Sequence, residues 1–166
     1  MIPAADDREG QAEGQAEDQA GVPAGPFRRV LVAWDGSPDS VAALTAAAAL
    51  VSGWSGHVVA LTVLPERAHV EDSQADAEPG EADRVRQDFA RARAALQATS
   101  RARIDLHTAA GRQVARSLCG YATEHGFDLL VLGRHGDGGL LHPRLGRVAA
   151  EAAKASEVPV LLVGAR

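Results

Sequence analysis

Five short strand-like segments, four of them continuous apolar runs, constrain the fold of this chain more than any other feature of its sequence. Continuous apolar runs of this length are typical of strands that are buried on both faces of a parallel sheet. Segments with helical spacing separate them, and this alternation indicates βαβ units. The sequence therefore predicts an α/β protein with a single open five-stranded parallel sheet and helices on both faces. The apolar runs are RRVLVAW, HVVALTVL, DLLVLG and VPVLLVG, and the more polar segment RIDLHTAAG contains the third strand.

Local signals mark where the helices begin and end. Ser37 followed by Pro38 is typical of an N-cap and a first helical residue. Gly126 is a typical C-terminal stop for the third helix, and the fourth helix is predicted to begin at Gly146. The segment 65–82, before the second helix, is polar, acidic and without periodicity, so we expect a mobile loop there.

Charge divides the chain into a tail and one domain. Residues 1–26 contain six acidic residues and one arginine, which gives them all of the net charge of −5. Such a segment cannot bury enough apolar surface to offset its ordering entropy, so we expect residues 1–26 to be a disordered acidic tail. Residues 27–166 form the predicted domain, with sixteen acidic and sixteen basic residues. This balance argues against nucleic acid as a partner.

Other compositional features indicate a cytoplasmic protein. Cys119 is the only cysteine, so no intrachain disulfide can form, which fits a reducing compartment. No apolar run approaches the ~20 residues of a membrane span, and the N-terminus has no secretory signal pattern. We therefore expect no membrane partner. The histidines lack metal-ligand spacing, and no metal site is predicted.

A glycine-rich loop follows the fourth predicted strand and ends at a helix N-terminus. The first N–H groups of a helix have no internal partner and attract anions. Glycines let an anion approach the main chain closely. The loop is not a P-loop, because Arg147 follows Gly146 where that motif has Lys and a hydroxyl residue. The pattern predicts a phosphate site at the carboxyl end of the sheet, where ligands bind in such folds.

The loop also carries a family motif. Gly133 and Gly136 are separated by two residues, and nine residues follow before Gly146. With VLVAWDGSPDS, HGFDLLVLGRHG and VPVLLV, this pattern makes residues 27–166 resemble the universal stress protein family. The resemblance implies strand order 3-2-1-4-5, as in universal stress proteins and adenine nucleotide alpha hydrolase-like proteins.

The resemblance also implies a function and a site. It implies an ATP-binding module in stress response or signalling, without strong catalysis and with no catalytic residue assigned. Mg²⁺ would enter only as a counter-ion of the nucleotide. The implied contacts are side chains near the base and adenosine, and main-chain groups around the ribose and phosphates. They are Asp35 and Val63 at the base, Leu132 at the adenosine, and the backbone at Gly133, Gly136 and Gly146.

One position departs from the family motif. The Ser or Thr after the last glycine is Arg147 here. Its guanidinium can replace the hydroxyl with a charge-assisted phosphate contact. Alternatively, the side chain points into solvent or fills the phosphate space and weakens the site. The sequence leaves both possibilities open.

The last strand and the first loop give two further hypotheses. The family's strand order puts VPVLLVG at a sheet edge, and an apolar edge favours a homodimer through this strand. A dimeric interaction protein without a nucleotide is thus one alternative. Another is an enzyme like the PP-loop ATP pyrophosphatases, suggested distantly by DGSPDS. In such an enzyme the phosphates would lie at the first loop. A change at Gly36 would then abolish nucleotide binding, and a change at Gly146 would not.

Overall fold

Five parallel strands form one sheet, as the sequence predicts. The computed structural model describes residues 25–54, 56–65, 80–136 and 145–165. The strand order is β3-β2-β1-β4-β5, and every neighbouring pair is parallel. The predicted fold class and strand order are therefore confirmed. The strands are β1 (Arg29–Ala33), β2 (His57–Leu64), β3 (Arg103–Ala110), β4 (Leu129–Gly133) and β5 (Val160–Val163).

Four helices cover the two faces of the sheet. Helices α1 and α2 pack on one face, and α3 and α4 pack on the other. In the described part of the chain, no helix has the length and apolar character needed to cross a membrane. The helices are α1 (Pro38–Val51), α2 (Glu81–Gln97), α3 (Val114–Glu124) and α4 (Arg147–Ala155).

The central strand β1 contributes to both cores. Val30 and Val32 join the core under α1 and α2, and Leu31 joins the core under α3 and α4. Successive side chains of a strand point to opposite faces, and all three residues are fully buried. A strand buried on both faces explains why the sequence shows continuous apolar runs instead of alternation.

Strand order reverses at β1, and this reversal positions the site. Strand β1 pairs with β2 on one side, with Arg29 opposite His57. It pairs with β4 on the other side, with Val30 opposite Leu129. The two connections that leave the carboxyl ends of β1 and β4 therefore begin side by side. Ligands of open α/β sheets bind at such a reversal.

The predicted helix boundaries at Ser37, Gly126 and Gly146 agree with the structure. The hydroxyl oxygen of Ser37 accepts a hydrogen bond from the N–H of Ser40 at 3.2 Å, as an N-cap should. Gly126, with φ of +62°, follows the end of α3, and Gly146 is the N-cap of α4. A positive φ favours glycine, so Gly126 can end the helix without strain.

The packed segment begins earlier than residue 27. Gly25 lies against the ring of Trp54, and the indole N–H of Trp54 donates to the Phe27 carbonyl at 3.2 Å. Phe27 also packs against the core under α1 and α2. The predicted disordered tail up to residue 24, and most of the predicted mobile loop, 66–79, lie outside the described residues.

Two deletions test where the folded segment begins. Removal of residues 1–24 should leave the melting temperature unchanged, because this acidic segment has little apolar surface to bury. Removal of residues 1–27 should lower it, because the Trp54 indole loses its acceptor and the core loses Phe27. A loss of 1 kcal/mol corresponds to about 4 °C for a domain of this size. Calorimetric melting that shows a drop for the shorter deletion would contradict the assignment of residues 1–24 to a tail.

Candidate functional site

A small cavity lies at the carboxyl ends of β1 and β4, where the strand order reverses. Its volume is about 170 Å³. It brings together five of the seven site residues implied by the resemblance, namely Asp35, Gly133, Gly136, Gly146 and Arg147. Across the described part of the chain, no group of three or more His, Cys, Asp or Glu residues is placed to hold a metal ion.

Val63 and Leu132 do not line this cavity. Leu132 is 2% exposed and belongs to the core under α3 and α4. Val63 is half-buried and packs against the same core. The structure therefore gives both side chains a packing role, and their contact with a ligand stays a prediction.

The turn after β1 fixes the Asp35 carboxylate at the mouth of the cavity. Gly36 has φ of +80°, a conformation that favours glycine, and the N–H of Ser37 donates to Asp35 Oδ1 at 3.0 Å. A Cβ atom on Gly136 would lie 2.9 Å from Asp35 Oδ2. Glycine at position 136 thus lets the carboxylate from one loop approach the backbone of the other.

Gly133 is needed for packing, whether or not a ligand binds. A Cβ atom there would lie 2.8 Å from the Cβ and 2.9 Å from the carbonyl carbon of Asp39, and 3.1 Å from the His135 carbonyl oxygen. Real Cβ atoms essentially never come that close to backbone. The end of β4 therefore approaches the first turn of α1 at a distance that only glycine permits.

The N–H of Gly146 already has a partner. It donates to the carbonyl oxygen of Arg134 at 2.8 Å, which ties the start of α4 to the segment after β4. The resemblance assigned this main-chain group to the phosphates, but in this structure its donor is engaged. The next three residues, Arg147, Val148 and Ala149, also line the cavity. Their N–H groups belong to the first turn of α4, so the helix itself supplies no acceptor for them.

The Arg147 side chain lies at the rim of the cavity, largely in solvent. It is 85% exposed, and its Nε lies 4.0 Å from Glu151 Oε1, one helical turn on. An exposed pair of this kind contributes only about 0.3–0.5 kcal/mol. This conformation is therefore held weakly, and a multiply charged anion at the cavity would compete with Glu151 for the guanidinium.

Asp39 organises the site, and sequence reasoning did not single it out. Its Oδ1 accepts from the N–H of Ala165 at 2.7 Å, and its Oδ2 accepts from the N–H of His135 at 2.9 Å. The His135 Nδ1 lies 3.2 Å from the same Oδ2. One carboxylate thus joins the start of α1, the segment after β4 and the segment after β5. From the sequence alone, Asp39 is only an acidic residue in the first turn of a predicted helix, a common position for such residues.

The pKa of Asp39 lies below its ordinary value of 3.8. The N–H of Ala165 is the largest cause, because it stabilises the ionised carboxylate. Burial of the carboxylate raises the pKa and so opposes this effect, while the backbone N–H and the ring of His135 lower it further. The native protein therefore favours the charged form of Asp39.

Comparisons with known proteins show the family and the fold of the chain. The sequence profile of the universal stress protein family matches residues 26–164, and the chain belongs to this family. No curated protein matches the chain.

Solved structures of universal stress proteins have the same fold. One, crystallised in complex with cAMP, is 23% identical with a TM-score of 0.63, over 84% of this chain and 98% of that one. UspA from Lactobacillus plantarum is 21% identical with a TM-score of 0.62, over 85% and 99% of the two chains. A family protein from Burkholderia pseudomallei is 25% identical with a TM-score of 0.56, over 85% and 98%.

The substitution Asp39→Asn tests the link between the two loops and the end of the sheet. Because folding lowers the pKa of Asp39, its ionisation stabilises the native state above about pH 4, and this stability is lost as the pH falls through the lowered pKa. Wild type should therefore be more stable than Asp39→Asn at pH 6, and the difference should shrink towards pH 3.

Urea unfolding at a series of pH values measures this difference. Asp83→Asn is the control, since Asp83 is 58% exposed and pairs with Arg86 at the surface. The free energy of unfolding of Asp83→Asn should differ little from that of wild type at every pH. An Asp39→Asn variant as stable as wild type at pH 6 would contradict the role assigned to this carboxylate.

Proposed function

We propose that this chain is an adenine-nucleotide-binding module of the universal stress protein family, with ATP as its ligand and a role in stress response or signalling. We assign it no catalytic residue. The observation that carries the proposal is the cavity at the strand-order reversal, where the Asp35 carboxylate faces the Gly136 backbone beside the first turn of α4.

The groups around the cavity suit the two ends of a nucleotide. A carboxylate such as that of Asp35 accepts hydrogen bonds from ribose hydroxyls or from the amino group of a base. The first-turn N–H groups of α4 and the dipole of the helix attract a phosphate. One cavity is thus lined both by the Asp35 carboxylate, which can accept hydrogen bonds, and by the first turn of α4, which can attract an anion.

A family relative that binds a nucleotide supports the proposal. The solved universal stress protein with cAMP shows that this fold can hold an adenine nucleotide. Adenosine is common to cAMP and ATP, so the two ligands differ chiefly in their phosphates. We therefore expect the adenosine contacts to be shared and the phosphate contacts to decide the preference of this chain.

Asp35→Ala tests the proposal. A hydrogen bond to a charged group contributes about 1.5–3 kcal/mol, so the variant should bind ATP at least about tenfold more weakly than wild type. Titration calorimetry with ATP, cAMP and GTP measures the effect. Analysis of the nucleotide released when purified protein is denatured shows what the chain carries from the cell.

Asp88→Ala is the matched control for this titration. Asp88 Oδ2 lies 3.4 Å from the position of a Cβ on Gly36, so it is close to the same turn, but it does not line the cavity. Its removal should leave ATP binding unchanged. Absence of binding to wild type would contradict the proposed function, and an equal loss in both variants would show that Asp35 only supports the turn.

We also propose a homodimer through β5. This strand is at the sheet edge, and its four apolar residues, Val160–Val163, are all half-buried. Leu161 packs against the core under α1 and α2, and Leu162 against the core under α3 and α4. An edge strand of this kind offers unpaired backbone groups and apolar surface to a second copy.

Leu162→Lys should convert the dimer into monomers, because a charged side chain disfavours burial at the interface. Sedimentation velocity measures the association state, and a melting curve verifies that the variant is folded. Leu162→Val is the control and should remain dimeric. A wild-type protein that sediments as a monomer would exclude this assembly.

A further inference from the structure

A second and larger cavity adjoins the small one. It is a groove of about 840 Å³ between α3 and α4. Val114, Arg147 and Val148 line both the groove and the small cavity. The two spaces therefore meet at these residues, at the N-terminal ends of both helices.

The groove is cationic at the end that meets the small cavity. Helices α3 and α4 both follow parallel strands, so they start at the same edge of the sheet. Arg112, Arg116 and Arg147 line the groove near these starts. Lys154 and two carboxylates line the opposite end, near the ends of the helices. The two carboxylates are those of Glu124 and Glu157.

The sizes of the two spaces suggest how a nucleotide divides between them. A small-molecule site is usually about 300–1,000 Å³, which the small cavity alone does not reach. A nucleotide that places its adenosine part at Asp35 must extend beyond this cavity. The groove adjoins it at Arg147, which lines both spaces, and the positive charge of the groove there is complementary to a polyphosphate.

We propose that Arg112 and Arg116 bind the outer phosphates of ATP in this groove. This inference rests on the proposed function and names the part of the site that selects ATP over nucleotides with one phosphate. Guanidinium groups bind phosphate through paired hydrogen bonds. Arg147 joins them by leaving its exposed contact with Glu151. Glu151 also lines the groove, so a bound phosphate must compete with its carboxylate for the arginines.

The double variant Arg112→Ala/Arg116→Ala tests this inference. By titration calorimetry, it should bind ATP at least tenfold more weakly than wild type. Its affinity for AMP and cAMP should change less than twofold, because these ligands lack the outer phosphates. Arg112→Lys/Arg116→Lys should retain part of the ATP affinity, since the charge remains without the planar fork.

Lys154→Ala is the matched control, because it removes a cation that lines the far end of the same groove. Lys154→Ala should leave the affinities for ATP, AMP and cAMP unchanged. This result would show that the effect of the arginine variants comes from a local contact and not from a general loss of positive charge. Melting curves for each variant verify the fold.

The outcomes separate this inference from the proposed function. If wild type binds ATP and the double variant binds it equally well, the inference is wrong and the proposed function stands. An equal loss for ATP, AMP and cAMP would also overturn the inference, because the arginines would then be structural. If wild type binds no nucleotide, both fail.

Discussion

The candidate site depends on the hydrogen bonds that the carboxylate of Asp39 accepts. Asp39 lies in the first turn of α1 and accepts hydrogen bonds from residues 96 and 126 positions further along the chain. These bonds fix the backbone after β4 and after β5 against the same helix end. Gly133 makes the arrangement possible, since a side chain there would collide with Asp39. The position of the loop after β4 is therefore set by packing and hydrogen bonding before any ligand binds.

The shape of the cavity follows from this arrangement. The loop held by Asp39 places the Arg134 carbonyl where it accepts from the N–H of Gly146, and this contact sets the start of α4. Gly136 in the same loop lies against the carboxylate of Asp35. A single connected set of contacts thus brings an acceptor and a helix N-terminus to the strand-order reversal. We infer that the glycines at 133 and 136 serve the close packing of the loops, whether or not a ligand binds.

The sequence predicted the elements well because their signals are local. Apolar runs indicated the strands, and residues such as Ser37 and Gly126 indicated where helices begin and end. Strand order came from a family resemblance, since no local pattern encodes it. Asp39 was missed because its partners are distant in sequence, and the direction of the long, 85% exposed Arg147 side chain is not fixed by its place at the start of a helix. The resemblance also implied Leu132, which lies in the core under α3 and α4, and Val63, which packs against that core; neither lines the cavity.

Amide chemical shifts recorded during an ATP titration report nucleotide binding and its location together, and so test whether the cavity at the strand-order reversal binds ATP. We expect the largest changes at 133–136 and 146–149, around the small cavity, and at 112–116, where the groove begins. Amides on the opposite face, such as those of α2, should change little. If saturating ATP leaves these shifts unchanged, or changes only the shifts of residues away from the carboxyl ends of β1 and β4, the cavity is not an ATP site.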